Sequence, residues 1–231
     1  ELGNYETSLT YLFKSLAIQE KLNLKKNIAS TFNNIGRQLY NMKNFEEISL
    51  SRITSLNKEK KILFCYLCSY RIIDNFLLYT NSNEVNVITN KIYDNIKDFV
   101  VGENLKDDIR KLLEDFYKFI PDTNDFYDIN TEYTLNASAA LYTTLDYILN
   151  PDDMELSSVP ILVRDSLDFY IQEKLSLKPN DPLLEIKINQ SLLMINEFRI
   201  QEELFLKILK MKDITRGDIY DLEKDSGKLS L

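Results

Sequence analysis

Hydrophobic residues recur along most of this chain at intervals of three and four, which is the spacing of amphipathic helices. Chain breakers are sparse, because only five glycines and five prolines interrupt 231 residues. Both features favour helices over strands, and we expect an all-α fold. The predicted helices cover residues 45–56, 58–80, 85–101, 105–120, 131–149, 153–174 and 188–210.

Capping residues and chain breakers set the expected ends of these helices. Ser82 is placed to begin a helix, Gly102 to end it, and Asn104 to begin the next one. The pattern predicts a domain of about six to seven helices over residues 45–211. The charged end of the chain, residues 212–231, contains two glycines and is expected to fray.

The first 44 residues have a pattern of their own. Gly36 is small enough to let two antiparallel helices approach closely, and Tyr5 and Tyr40 would fill the gaps between them. Residues 42–46 then echo residues 2–6 forty positions later. These features resemble a tetratricopeptide repeat, whose usual period is about 34 residues. An ordinary helical hairpin is the alternative.

A single repeat of this kind cannot bury its own apolar face, because about three are needed. Two arrangements would cover that face. Either an array continues beyond this sequence, or the two helices pack on the residues that follow them.

The charge balance argues against a nucleic-acid partner. The chain has 36 acidic and 28 basic residues, which gives a net charge of −8, and its lysines and arginines are scattered. A protein that binds a phosphate backbone needs a concentrated basic surface. We therefore expect no binding to nucleic acid.

The sequence lacks the residues of most catalytic and metal sites. It contains no histidine, which removes the usual general base and the commonest metal ligand. Cys65 and Cys68 form a C-x-x-C pair, but a structural zinc site needs four ligands and the chain has no second pair. Their apolar surroundings favour buried thiols. We expect no cofactor, assign no catalytic residue, and disfavour an enzymatic activity.

No uninterrupted apolar run reaches the roughly 20 residues that a membrane span needs. The best candidate, residues 62–79, carries Arg71 and Asp74, so we expect a core helix. This predicts no membrane association and a cytoplasmic location.

Two predicted helices carry polar residues on faces that we expect to meet. Glu197 lies in the middle of the apolar stripe of its helix, and charged residues are rarely buried without a partner. Arg164, presented from another helix, is the best candidate for that partner. The predicted cluster comprises Arg164, Asp165, Asp168, Gln172, Glu197 and Gln201.

This cluster has two interpretations. The first is a polar network that fixes the register of two helices and has a structural role. The second is a small-ligand or divalent-metal pocket lined by Asp165, Asp168 and Glu197, because carboxylates suit magnesium, manganese and calcium. No nucleophile motif or phosphate-binding loop accompanies the carboxylates.

Several segments, taken in order along the chain, match one family. They are residues 120–123, Asp125-Phe126, the alanine-rich helix around residues 139–140, residues 164–168 with Tyr170-Ile171, and Glu197 with Gln201-Glu202. On these segments, residues 45–210 resemble the YjaG-like family of bacterial proteins, a domain of unknown function. The resemblance implies a compact multi-helical domain and supplies no catalytic residue. The repeat-like first 44 residues depart from it.

These observations favour a non-enzymatic protein–protein interaction module, because stacked helix pairs form concave surfaces for partners. The alternative is a small-ligand or metal-binding domain, or an enzyme, that uses the Arg/Asp/Glu cluster. A structural homo-oligomer is a third hypothesis, since an incomplete repeat leaves apolar surface to cover.

Overall fold

The computed structural model describes residues 45–105, 107–121, 129–178, 180–229 and 231, without the side chains of residues 129 and 130. All regular secondary structure in these residues is α-helical, which confirms the all-α prediction. The predicted tetratricopeptide-like pair, residues 1–44, lies outside the described residues.

We number the helices in chain order within the described part of the chain. They are α1 Phe45–Thr54, α2 Lys58–Thr80, α3 Asn83–Val100, α4 Ile109–Tyr117, α5 Ile129–Asp146, α6 Asp153–Leu156, α7 Val159–Lys174, α8 Leu184–Asn189, α9 Leu192–Lys210 and α10 Arg216–Ser226.

The described residues divide into two compact units. The first unit contains Phe45 and Leu167–Glu202. The second contains Glu46–Ser166 and Glu203–Leu231. Most of the features below belong to the second unit.

Helix α2 is the centre of the second unit. It is long and apolar enough to span a membrane by length and composition alone, but 72% of its most apolar window is buried inside the protein. Such burial is what the hydrophobic effect produces in a core helix. At its start, Oδ1 of Asn57 accepts a hydrogen bond from the Lys60 amide over 3.1 Å. At its end, Asn81 adopts a left-handed conformation with a φ of 42°.

Helix α2 packs most extensively against α5. Small residues make this close contact feasible, and Ala137, Ser138 and Ala140 all have 0% of their surface exposed. Two buried hydroxyls on α5 are satisfied within the helix itself. Ser138 donates to the carbonyl of Thr134 over 2.9 Å, and Thr144 donates to that of Ala140 over 2.7 Å.

Some helices begin and end at the residues that the sequence analysis predicted, and others do not. Ser82 caps the start of α3, and Gly102 follows its end with a φ of 75°, as predicted. Asn104 was expected to begin α4, but Asp108 does so, because its Oδ1 accepts the amide of Arg110 over 2.9 Å. The predicted helix 153–174 is broken after Leu156 into α6 and α7.

We predicted that the charged end of the chain would fray, and this is wrong for residues 216–226, which form α10. Thr215 and Asp218 make a reciprocal capping box at the start of this helix. Ile219 and Leu222 are 1% and 3% exposed, so α10 buries an apolar face. It does so against α2.

Candidate functional site

Two residues of the predicted polar cluster lie together in α9. Glu197 is 1% exposed and Gln201 is 0% exposed. The Gln201 amide donates from Nε2 to Oε1 of Glu197 over 3.0 Å. Residues four apart share one face of a helix. This part of the cluster is therefore a buried polar pair within the first unit.

A second intrahelical pair lies in α7. Gln172 donates from Nε2 to Oδ1 of Asp168 over 2.6 Å, and both residues are half-buried. Arg164 and Asp165 are also half-buried, but they belong to the second unit. The pairing of Arg164 with Glu197 stays a prediction.

The metal interpretation of the cluster gains no support. Within the described residues, no three carboxylate or thiol side chains lie close enough together to hold a metal ion.

A groove between α4 and α5 has the features of a binding surface. We call it the α4–α5 groove. Its volume is about 540 Å³. It is lined by Arg110, Leu113, Glu114, Tyr117, Lys118, Tyr142, Asp146, Leu149 and Asn150.

Aromatic and aliphatic side chains of this groove reach the solvent. Tyr117 is 65% exposed and Leu149 is 40% exposed. The rings of Tyr117 and Tyr142 meet edge to face with centroids 6.0 Å apart. Such a pair holds two large rings in a defined geometry. The groove thus presents a fixed apolar surface.

The rim of the groove carries charges of both signs. Arg110, Glu114 and Lys118 lie at four-residue intervals, which places them along one side of α4 and of the C-cap residue that follows it. On the opposite wall, Asn150 donates to Oδ1 of Asp146 over 2.9 Å. Burial raises the pKa of Tyr142, and the nearby Asp146 raises it further, so this phenol stays neutral.

A tyrosine cluster joins α2, α3 and α10. The ring of Tyr93 lies 5.3 Å from that of Tyr66 and 5.8 Å from that of Tyr70. The Glu223 carboxylate of α10 accepts a hydrogen bond from the Tyr66 hydroxyl. It also forms an ion pair with Nζ of Lys97 at 2.6 Å. Burial raises the pKa of Tyr66, and the hydrogen bond to Glu223 adds to this.

The Tyr66 part of this cluster is closed to solvent. Tyr66 is 0% exposed, so no substrate reaches its hydroxyl. The cluster holds α10 on α2. Sequence analysis missed it because Tyr66 and Glu223 are 157 positions apart.

Another polar contact fixes α6 to α2. Lys61 pairs with Oδ2 of Asp153 at 2.6 Å, and the Tyr147 hydroxyl donates to Oδ1 of the same carboxylate over 2.6 Å. The two cysteines nearby on α2 are buried thiols with no disulfide, as predicted. Burial raises the pKa of Cys65, which keeps it protonated.

Comparisons with known proteins identify a family but no activity. No curated protein matches the chain. A DUF416 family protein from Shewanella baltica OS155, known from a crystal structure at 1.91 Å resolution, matches with a TM-score of 0.67 and 20% sequence identity. The match covers 77% of this chain and 92% of that chain, and at this identity it shows the fold alone.

The family assignment rests on the sequence. The profile of DUF416, described as a protein of unknown function, matches residues 49–229. This span agrees with the sequence-based expectation of an unknown-function family over most of the chain. The chain therefore belongs to the DUF416 family.

Proposed function

We propose that this chain is a non-enzymatic module that binds a protein partner through the α4–α5 groove. The observation that carries the proposal is an open groove of about 540 Å³ in which Tyr117 and Leu149 are exposed. Ligand pockets commonly have volumes of roughly 300–1,000 Å³ and apolar linings with a few polar groups. Exposed aromatic residues are also enriched at protein interfaces.

The charges on α4 define the partner's chemistry. Arg110, Glu114 and Lys118, which caps the end of α4, present plus, minus and plus at successive helical turns, and Lys118 also pairs with Asp115 at 2.6 Å. A complementary partner is an amphipathic helix with an apolar stripe beside acidic, basic and acidic residues at the same spacing. A leucine or aromatic side chain on that stripe would insert between Tyr117 and Leu149.

Other observations support a binding role over catalysis. The chain has no histidine. The Cys65 thiol is buried with a raised pKa, whereas a nucleophilic cysteine needs an accessible thiolate. Glu197 and Gln201 are buried, which favours the structural interpretation of that pair.

A displayed library of 20-residue helical peptides tests the proposal. Peptides that bind the chain would be enriched, and those that also bind the Tyr117→Ala variant would be removed. We expect the selected peptides to share an apolar stripe flanked by acidic, basic and acidic positions. Their affinity should fall about tenfold or more with Leu149→Asp, because a charge would enter the apolar surface.

Two matched variants serve as controls. Tyr220 is 68% exposed and Leu209 is 42% exposed, close to Tyr117 and Leu149 in exposure but outside the groove. Tyr220→Ala and Leu209→Asp should leave peptide binding unchanged. The proposal would be contradicted if no peptide remained after the removal step, if the remaining peptides bound the Leu149→Asp variant as tightly as the wild type, or if the two control variants weakened binding equally.

Other sequence-based hypotheses stay predictions. They are the tetratricopeptide resemblance of residues 1–44, the narrower resemblance to YjaG-like bacterial proteins, the cytoplasmic location and a homo-oligomeric state. Deletion of residues 1–50 tests whether the repeat-like part binds partners, since a deletion that keeps all binding argues against it. Light scattering tests the oligomeric state, and a monomer would argue against self-association.

A further inference from the structure

Residues 227–229 and 231, which follow α10, lie along α2 and are held by hydrogen bonds of their main chain. The amide of Leu229 donates to the carbonyl of Arg71 over 2.7 Å, and the amide of Leu231 donates to Oδ1 of Asn75 over 3.0 Å. The Arg71 guanidinium donates to the carbonyl oxygens of Ser226 and Gly227. These contacts recognise a polypeptide backbone and not a particular set of side chains.

One side chain of this segment is recognised specifically. Nζ of Lys228 lies 3.8 Å from the centroid of the Tyr70 ring and 3.0 Å from Oδ1 of Asp74. An aromatic face and a carboxylate together bind an ammonium group well. Burial lowers the pKa of Lys228, although Asp74 opposes this effect. Tyr70 and Asp74 therefore form a lysine pocket.

Part of this surface is not covered by the described residues of the segment. Nδ2 of Asn75 is buried, and within the described residues it has no hydrogen-bond partner. A cavity of about 340 Å³ lies beside it, lined by Asn75, Leu78, Tyr79, Tyr133 and Leu231. A buried donor without an acceptor costs stability. A segment that offered a carbonyl to Asn75 and filled the cavity would bind better.

We propose that Tyr70, Arg71, Asp74 and Asn75 form a docking site for an extended, lysine-bearing peptide, which residues 227–229 and 231 of the chain fill in this structure. A partner protein with such a segment competes with it for the site. Gly227, with a φ of 65°, is the point at which the chain turns out of α10 and into the site. This site is distinct from the α4–α5 groove, and the inference does not rest on the function proposed there.

Hydrogen exchange by NMR on the full chain tests whether Lys228 anchors the segment. Lys228→Glu should raise the exchange rates of the Leu229 and Leu231 amides about tenfold or more, because it places a second carboxylate beside Asp74. The reversed pair, Lys228→Glu with Asp74→Lys, should restore much of the protection. Lys224→Glu, an equal charge change on the exposed face of α10, should leave both amides unchanged.

A peptide added in trans tests whether the site accepts another chain. The probe is a synthetic peptide with the sequence of residues 226–231, Ser-Gly-Lys-Leu-Ser-Leu. It should shift the Asn75 side-chain amide signals in the Lys228→Glu chain at a concentration at least tenfold lower than in the wild type. A peptide with glutamate in place of lysine should not bind.

Three outcomes would overturn the inference. The Leu229 and Leu231 amides could exchange equally in the wild type and in Lys228→Glu. The peptide could affect both chains alike or neither of them. The glutamate peptide could bind as well as the lysine peptide, which would show that no lysine pocket exists.

Discussion

At the scale of single residues, the Glu197–Gln201 pair is a buried polar contact whose contribution to stability can be measured. Glu197→Ala should lower the free energy of unfolding by about 2–3 kcal/mol, because the Gln201 amide loses its acceptor in a buried site. Glu197→Gln keeps an oxygen acceptor, so a smaller loss of about 1 kcal/mol is expected. Urea denaturation measures both.

Glu173 offers a matched control for this prediction, since it is an exposed glutamate on another helix of the same unit. Glu173→Ala should change the stability by no more than about 0.5 kcal/mol. A Glu197→Ala variant as stable as this control would show that the buried pair contributes nothing to folding.

The carboxyl group of Asp153 makes the stability depend on pH in acid. Burial alone would raise its pKa, but the hydrogen bonds from Lys61 and Tyr147 outweigh this and hold the pKa below its usual value of about 3.9. The folded chain therefore keeps this group charged where the unfolded chain protonates it. The resulting stabilisation is complete above the unfolded pKa and is lost as the pH falls through the folded pKa.

Asp153→Asn tests this linkage. At pH 7 the variant should be less stable by about 1 kcal/mol, because Lys61 and Tyr147 would contact a neutral amide in place of the Asp153 carboxylate. The difference from the wild type should narrow below about pH 4. Asp221→Asn, at an exposed position of α10, serves as the control and should follow the wild type. A difference that stays constant down to pH 2 would contradict the prediction.

At the scale of elements, the contact of α2 with α5 depends on side-chain size. Ala140 is 0% exposed, whereas its neighbour Ala139 is only partly buried. Ala140→Leu should destabilise the fold by about 1–3 kcal/mol, since three added carbon atoms have no room in a close-packed contact. Ala139→Leu should cost much less. Equal thermal stability of the two variants would show that the helices have space between them.

Helix ends show how far the sequence alone predicts these elements. The helix start at Ser82 and the helix end at Gly102 were predicted correctly, because a capping side chain and a left-handed glycine determine the backbone of their immediate neighbours. Asn104 and Asp108 compete for the start of α4, and only the structure shows that Asp108 prevails. The break after Leu156 has a sequence signal, because Pro160 lies in the first turn of α7, but the apolar periodicity continues across it and predicted one helix over 153–174.

At the scale of the whole molecule, the sequence predicted the fold class and the type of family but not the surfaces. The α4–α5 groove brings Tyr117 beside Tyr142, and the lysine pocket brings Lys228 onto Tyr70. Both contacts join segments far apart in the chain, which periodicity does not reveal. Burial of Glu197 could be predicted, because it interrupts an apolar stripe within a single helix.

The distribution of charge over the molecule leads to the last prediction. The net charge is −8, and in the described part of the chain Lys97, Lys207 and Arg216 each pair with carboxylates. The excess of acidic residues opposes the attraction of phosphate. At about 150 mM salt, where screening acts within about 8 Å, we expect no binding to a DNA duplex or to vesicles that contain anionic phosphatidylglycerol. Sedimentation with vesicles and fluorescence anisotropy with labelled DNA measure this. Binding that weakens as salt rises would reveal a basic surface that the net charge conceals, because counterion release gives that dependence.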